Sequence, residues 1–170
     1  MSSQSTTQKP DLTEAIAPPT RLSPPNVPFT PCHMFFYGSL MDTTQLKYIT
    51  ALPSTSTPDL LPATITGFRM KMWSIYPTLI ASNHNESVSA VKGMLWKCET
   101  ETQFESLVRY ETDAYTWCFC TARLDDGTVL EGVRTFCWAG EPGSRELEEG
   151  TFDLEGWRTN STFLKIDFDF

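Results

Sequence analysis

The sequence predicts an α+β domain, a compact mixed β-barrel or curved sheet with flanking helices. Apolar segments typical of strands outnumber helical ones, and strands and helices do not alternate regularly. An Asp-Asp-Gly-Thr turn at residues 125–128 joins two long apolar segments, which indicates an antiparallel hairpin. With 170 residues, the chain is long enough for one such domain but not comfortably for two.

The composition divides the chain near residue 32. Residues 1–31 hold seven of the twelve prolines, many Ser and Thr residues and almost no aromatic residues. Such a segment buries too little apolar surface to offset its conformational entropy, so we expect a disordered or loosely draped tail. Residues 32–170 are predicted to form the domain.

The strands follow from alternating or continuous apolar segments. Pro77 cannot lie in a central strand, so the segment 75–80 is predicted to be an edge strand or a bend. The other strands are predicted at residues 33–37, 63–73, 88–98, 115–124 and 129–140.

Two helices have recognisable start signals. Asp42 can cap a first helix that follows the first strand. The clearest helix begins near residue 100, where Thr100 with Gln103, or Thr102 with Glu105, forms a capping box.

The charge distribution disfavours nucleic acids and membranes as partners. The formal net charge is -8, and residues 125–155 contain nine acidic residues against two arginines. Such a surface repels phosphate backbones and anionic lipids, although a solvated loop with a short helix at residues 141–155 explains the acidity more simply. No apolar run approaches the roughly 20 residues that a membrane span requires, and we expect no signal peptide.

The cysteines and histidines do not form a recognisable metal or catalytic motif. Five cysteines, an odd number, lie in apolar segments, which favours reduced thiols and a cytoplasmic location. Cys118 and Cys120 share one face of a strand, but with His33 and His84 they lack metal-ligand spacing, so core packing is favoured and no metal is predicted. Ser39 lacks the nucleophile elbow of serine hydrolases, and the sequence contains no phosphate-binding or dinucleotide-binding loop.

Glu111 completes one face of the clearest helix at the i, i+3, i+4, i+7 spacing. Three apolar residues share this face and are predicted to point to the core: Phe104, Leu107 and Val108. Burial and the negative end of the helix dipole would raise the pKa of Glu111 towards that of a useful general base. From the helix alone, however, the sequence favours a frayed end with Glu111 in solvent, or paired with Arg109 or Arg123.

The stretch Tyr37-Gly38-Ser39-Leu40 leaves the first strand and precedes a helix start. The backbone N–H groups of Gly38, Ser39 and Leu40 would surround a small concavity that suits a carboxylate or an oxyanion. Taken alone, Gly-Ser after a strand is more typical of a plain turn. We refer to these four residues as the 37–40 turn.

Four motifs together resemble the gamma-glutamylcyclotransferase-like family. They are FFYGSLM at the first strand, YPTL after the second, VKGMLW before the clearest helix and YETDAY at the end of that helix. Their order and spacing are most similar to the avirulence-induced-protein-like branch in its fungal form, over about residues 33–158.

The resemblance implies a compact β-barrel and an enzyme of the acyltransferase or amidine-lyase type that cyclises gamma-glutamyl amides to 5-oxoproline. It assigns catalysis to Glu111. It assigns substrate binding to Tyr37, Gly38, Ser39, Leu40 and Tyr115, the last as a supporting aromatic residue. It also implies a small gamma-glutamyl substrate of glutathione metabolism, no metal or organic cofactor, no nucleic-acid or membrane partner, and a monomer or weak homodimer.

The sequence departs from the family pattern beside the glutamate. Thr112 stands where a glycine is more usual, and Asp113 follows it. A second carboxylate at this place is expected to raise the pKa of Glu111 or to alter which amine is accepted.

Two further features allow two interpretations each. Tyr76 and Pro77 form either a cavity wall or an edge-strand bend. Arg69 and Lys71 either meet a substrate carboxylate or, more simply, lie on the solvent side of a strand.

Two alternative functions use the same fold. One is a tailoring enzyme that acts on a glutathione-derived or acylated intermediate of secondary metabolism. The other is a non-catalytic small-molecule-binding module, which would have no need for the glutamate, the tyrosine and the 37–40 turn.

Overall fold

The computed structural model describes residues 21–83 and 89–166, with side chains up to residue 160. Over this part of the chain the protein has eight strands, three α-helices and a short 3-10 helix at Ser39–Met41. The strands and α-helices are β1 (Cys32–Phe36), α1 (Thr43–Thr50), β2 (Leu61–Thr66), β3 (Phe68–Trp73), β4 (Tyr76–Ala81), β5 (Ala90–Cys98), α2 (Glu101–Glu111), β6 (Tyr115–Leu124), β7 (Val129–Trp138), β8 (Leu147–Glu148) and α3 (Leu154–Ile166).

Five strands close into a barrel in the order β1-β5-β2-β6-β7. Neighbouring strands run antiparallel except at the closure, where β1 and β7 are parallel and Met34 lies opposite Arg134. A second sheet has the order β4-β3-β8. Closure pairs strand edges that would otherwise be exposed. The predicted α+β class with a barrel-like sheet and flanking helices is confirmed.

The strand predicted at residues 63–73 is two strands, so this prediction was wrong. The chain breaks at Gly67, whose φ of 89° lies in a region that favours glycine. As a result β2 stays in the barrel, whereas β3 leaves it and pairs with β4 and β8. The apolar positions shift by one residue at Gly67, from Ala63 and Ile65 to Phe68, Met70 and Met72, and this shift was the available sign of the break.

The local start signals of the helices and the hairpin are confirmed. The Asp42 carboxylate accepts a hydrogen bond from the N–H of Gln45 at 2.9 Å and caps α1. Thr100 and Gln103 form the reciprocal capping box of α2. The 125–128 turn joins the antiparallel strands β6 and β7.

Strand β1 is buried on both faces, because it lies between the barrel interior and the helices. Phe35 packs inside the barrel, and so does Tyr37, which lies just beyond the strand. Their neighbours in this cluster include Ile65, Leu95 and Val133. Met34 and Phe36 point the other way, into a second cluster with Leu46 of α1 and Phe104 and Leu107 of α2. The prediction that Val108 faces the core was wrong, because its side chain is exposed.

Residues 21–31, the second part of the predicted tail, lie against the domain. The N–H of Leu22 donates to the carbonyl oxygen of Ala139 at 2.8 Å, and the ring of Phe29 stacks on Phe104 with centroids 5.7 Å apart. Residues 1–20 lie outside the described residues, and their disorder stays a prediction.

No helix within residues 21–83 and 89–166 combines the length and the apolar character that a membrane crossing needs.

Candidate active site

A cavity of about 350 Å³ lies where the end of β1, the C-terminal end of α2 and the β3–β4 hairpin meet. All six residues that the sequence analysis assigned to catalysis or substrate binding line it: Tyr37, Gly38, Ser39, Leu40, Glu111 and Tyr115. Seven other residues complete the lining: Phe36, Trp73, Tyr76, Pro77, Tyr110, Thr112 and Phe136. The fold thus brings the predicted site residues together, while their individual roles stay predictions.

Glu111 is the last residue of α2, and the helix does not fray before it. The residue is half-buried, and desolvation of its carboxyl raises the pKa from an ordinary 4.5 to about 7. Within the described residues neither Arg109 nor Arg123 forms an ion pair with it. The surface or ion-paired position that the helix alone favoured is therefore not the one adopted.

All four residues of the 37–40 turn line the cavity. Its own hydrogen bonds are donated by the N–H groups of Met41 and Asp42, to the carbonyl oxygens of Gly38 and Ser39 at 3.0 Å each. The turn does not use the N–H groups of Gly38, Ser39 and Leu40 in this way. The arrangement can accept an anionic oxygen at these amides.

Tyr37 fixes the start of the turn to the barrel. Its hydroxyl donates to the carbonyl oxygen of Phe136 at 2.6 Å, and the side chain is buried. Burial, with a smaller contribution from the nearby charge of Glu111, raises the pKa of the Tyr37 phenol well above its ordinary value. The phenol therefore stays neutral, and its hydrogen bond ties the start of the turn to β7.

Tyr110, which the sequence analysis did not assign, ties the turn to both helices. Its hydroxyl lies 2.7 Å from Ser39 Oγ and accepts a hydrogen bond from Gln45 Nε2 at 3.3 Å. Since Tyr110 precedes Glu111 in the same motif, its position beside the predicted catalytic residue was the available signal.

Tyr115 and Pro77 form another part of the cavity wall. The Tyr115 hydroxyl donates to the carbonyl oxygen of Pro77 at 2.8 Å. A Cβ added to Gly38 would lie 3.0 Å from Pro77 Cγ, so the 37–40 turn and β4 approach closely because residue 38 has no side chain. Both interpretations of the Tyr76-Pro77 pair hold, because the two residues line the cavity and β4 is an edge strand.

Thr112 has a backbone conformation that favours glycine, with φ 64° and ψ -179°. The residue that replaces the usual glycine is thus strained, directly beside Glu111. Asp113 lines a separate surface groove, and burial alone accounts for the raised pKa of Glu111. The expected effect of Asp113 on that pKa is therefore not found.

Arg69 and Lys71 do not reach the cavity. Both form ion pairs with Glu149, at 2.9 Å between Lys71 Nζ and Glu149 Oε1. This agrees with the simpler interpretation, a polar outer side of β3, and not with contact to a substrate carboxylate.

The described parts of the chain contain no cluster of three or more His, Cys, Asp or Glu side chains that could hold a metal ion. Cys118 and Cys120 pack against the core of the barrel, and His84 lies outside the described residues.

Comparison with known proteins identifies the family. The model of the family described as gamma-glutamyl cyclotransferase, AIG2-like, matches residues 34–158, and the chain belongs to this family. A search among curated proteins found no match.

Solved structures support the fold. Two proteins of Arabidopsis thaliana with solution structures each cover 82% of this chain. One has 19% identity and a TM-score of 0.59 over 80% of its own length, and the other has 21% identity and a TM-score of 0.56 over 88%. A structure described as a gamma-glutamyl cyclotransferase has 14% identity and a TM-score of 0.52, covering 65% of this chain and 68% of its own.

Proposed function

We propose that this protein cyclises a gamma-glutamyl amide or peptide to 5-oxoproline and releases an amine or amino acid, with Glu111 as general acid and base. The observation that carries the proposal is a desolvated carboxyl, with a pKa of about 7, in one cavity with the 37–40 turn. A carboxyl with a pKa near neutrality can both accept and return a proton under ordinary conditions. Membership of the family supports the same reaction.

The reaction begins with a proton transfer. The substrate's α-ammonium must lose a proton before its nitrogen can attack the γ-carbonyl carbon, and ionised Glu111 accepts that proton. Attack of the amino nitrogen on the γ-carbonyl carbon forms the new N–C bond and closes a five-membered ring. Glu111 gives its proton to the departing nitrogen, the former γ-amide C–N bond breaks, and the ring nitrogen loses its second proton through Glu111 to the released amine. The products are 5-oxoproline and the amine in its ammonium form, so protons and electrons balance.

The rest of the cavity contributes positioning. Ring closure is intramolecular, so holding the amino nitrogen against the carbonyl carbon supplies much of the acceleration. The N–H groups of Gly38, Ser39 and Leu40 hold the α-carboxylate or the developing oxyanion. Tyr37 is held by its hydrogen bond to Phe136, and Tyr115 is held by its hydrogen bond to Pro77. These two bonds keep the walls of the cavity in place.

The sequence resemblance supports four finer assignments: the fungal avirulence-induced-protein-like branch, an acyltransferase or lyase type of reaction, a role in glutathione metabolism, and a monomer or weak homodimer that works without a cofactor. The cytoplasmic location rests on the reduced state favoured for the five cysteines.

The test compares the wild type with two variants of α2. Gamma-glutamyl dipeptides are incubated with each protein, and 5-oxoproline and the released amino acid are both quantified. Glu111→Gln is expected to lower kcat/KM by at least about 100-fold, since its amide cannot accept the proton. Glu105→Gln, on an exposed position of the same helix, is expected to retain the wild-type rate. Equal rates for the wild type and Glu111→Gln would show that the assignment of the base is wrong.

A further inference from the structure

The cavity has one wall made of aromatic side chains. Trp73 and Tyr76 come from the β3–β4 hairpin and Tyr115 from β6, and we call these three residues the aromatic wall. The Trp73 ring centroid lies 6.1 Å from that of Tyr76 and 6.3 Å from that of Tyr115. Behind it, the ring of Trp138 supports Trp73 at 5.4 Å. Tyr76 is 48% exposed, so the wall extends from the interior to the mouth of the cavity.

The lining offers no partner for a charge on the leaving part of a substrate, which is the amine or amino acid that the reaction releases. Within the described residues no Lys, Arg or His side chain lines the cavity, and Glu111 is its one carboxylate. The cations on the neighbouring strand, Arg69 and Lys71, are bound to Glu149 outside the cavity. In the proposed reaction the amides of the 37–40 turn are used by the glutamyl α-carboxylate or the developing oxyanion, which all these substrates share, and so are not left for the leaving part.

An anionic leaving part is unfavourable in this environment. A second carboxylate would lose hydration without gaining a cation, and it would lie against aromatic faces whose quadrupole is negative. It would also approach Glu111, whose ionised form is needed to begin the reaction.

A cationic leaving part is unfavourable for a different reason. Aromatic faces attract cations, but an ammonium beside Glu111 would stabilise its carboxylate and lower the pKa that allows the proton to be returned. An uncharged leaving part avoids both effects and gains from apolar burial against the rings.

We propose that the preferred substrate is a gamma-glutamyl amide whose amine part carries an uncharged, apolar substituent. The best substituent contains an aromatic ring, which packs on the aromatic wall. This inference rests on the proposed function and specifies its leaving group. The products are 5-oxoproline and an amine that bears an aromatic ring, released as its ammonium by the bond changes given above and without any co-reactant.

A matched pair of substrates tests the inference. Gamma-glutamylphenethylamide and gamma-glutamylphenylalanine differ only in the carboxylate on the leaving part. We expect kcat/KM for the amide to be at least about tenfold higher. Two further amides complete the set: that of ethylamine, which lacks the ring, and that of 1,4-diaminobutane, which carries an ammonium. Both are expected to react more slowly than the phenethylamide.

The outcomes separate this inference from the proposed function. Suppose that the ethylamide and gamma-glutamylphenylalanine release 5-oxoproline with a kcat/KM equal to or above that of the phenethylamide. In that case the cyclisation stands and the substrate class is wrong. Faster turnover of the diaminobutane amide likewise overturns the substrate class alone. If none of the four compounds releases 5-oxoproline, both proposals fail.

Variants of the wall provide a second readout, the ratio of kcat/KM for two substrates, which does not depend on the fraction of folded protein. Trp73→Leu is expected to lower the phenethylamide-to-ethylamide ratio. Tyr76→Arg, which places a guanidinium at the exposed mouth, is expected to raise turnover of gamma-glutamylphenylalanine relative to the phenethylamide. Ile75→Ala changes an exposed neighbour outside the lining and should leave both ratios unchanged. Unchanged ratios in Trp73→Leu and Tyr76→Arg would contradict the assigned role of the wall.

Discussion

Glu111 and Arg134 are both withdrawn from solvent, yet their surroundings differ. Arg134 in β7 is only 3% exposed, and its guanidinium carbon lies 4.2 to 5.7 Å from the centroids of four rings. These rings belong to Trp117, Phe104, Phe29 and Phe119. Glu111 instead borders an open cavity, and burial raises its pKa to about 7.

The difference follows from what each group can do when water is removed. An arginine cannot release its proton in a protein, so a buried guanidinium must be stabilised as a cation, and aromatic faces do this. A glutamate can bind a proton instead, so its pKa rises when no partner compensates the lost hydration. A buried charge whose neighbours stabilise it contributes to the stability of the fold. A buried acid without such neighbours is available for proton transfer.

Arg134→Ala is the substitution expected to cost most stability. It removes the cation from its four rings and leaves a cavity, so the free energy of unfolding should fall by about 3 kcal/mol. Urea denaturation measures the loss, and Arg134→Met, which fills most of the volume, should lose less. At temperatures where both variants are folded, kcat/KM and its pH dependence should match the wild type. If a folded Arg134 variant lost activity, Arg134 would have a role beyond stability, and the contrast with Glu111 would be wrong.

Glu111→Gln is expected to make stability less dependent on pH. The folded-state pKa is raised, so the stability that the bound proton contributes is present below about pH 4.5 and is lost as pH rises to about 7. The shift corresponds to about 3 kcal/mol, and partial exposure of the residue reduces the expected difference to about 2 kcal/mol.

Urea denaturation of wild type and Glu111→Gln at about pH 5 and about pH 8 measures this difference. The free energy of unfolding of Glu111→Gln relative to that of the wild type should be higher at about pH 8 than at about pH 5. Glu105→Gln should show no such change. A parallel pH dependence of the wild type and Glu111→Gln would mean that Glu111 is solvated like an ordinary surface acid.

Thr112→Gly is expected to stabilise the protein by about 1 kcal/mol, because glycine adopts the observed φ of 64° without strain. Thr112→Ala is the matched control, since alanine loses the side chain but keeps the strain and should gain nothing. Thermal denaturation distinguishes the two variants. An equal gain in both would place the effect in the side chain instead of the backbone.

Tyr110→Phe is expected to have the smallest effect, a loss of about 1 kcal/mol or less in the free energy of unfolding. The hydroxyl that joins Ser39 to Gln45 is removed, so the 37–40 turn should become less fixed and KM should rise more than kcat falls. Tyr48→Phe, at an exposed position of α1, is the control and should change neither constant. A fall in kcat with unchanged KM would instead indicate a role in the chemical step.

Features that depend on neighbours within a few residues could be predicted from the amino-acid sequence alone. The Asp42 cap, the Thr100–Gln103 capping box and the 125–128 turn are local hydrogen-bonding patterns, so their residues suffice to predict them. The resemblance then indicated which six residues would share a site, and the fold places all six around one cavity.

Which side chains lose contact with water could not be predicted from local sequence, because it depends on the packing of distant segments. The break at Gly67 moves β3 out of the barrel, and this brings Trp73 to the cavity from a segment that looked like one continuous strand. The four rings around Arg134 are contributed by segments far apart in the chain, and the helix pattern alone left Glu111 at the surface. Burial depends on contacts between distant segments, and closure of the barrel brings those segments together.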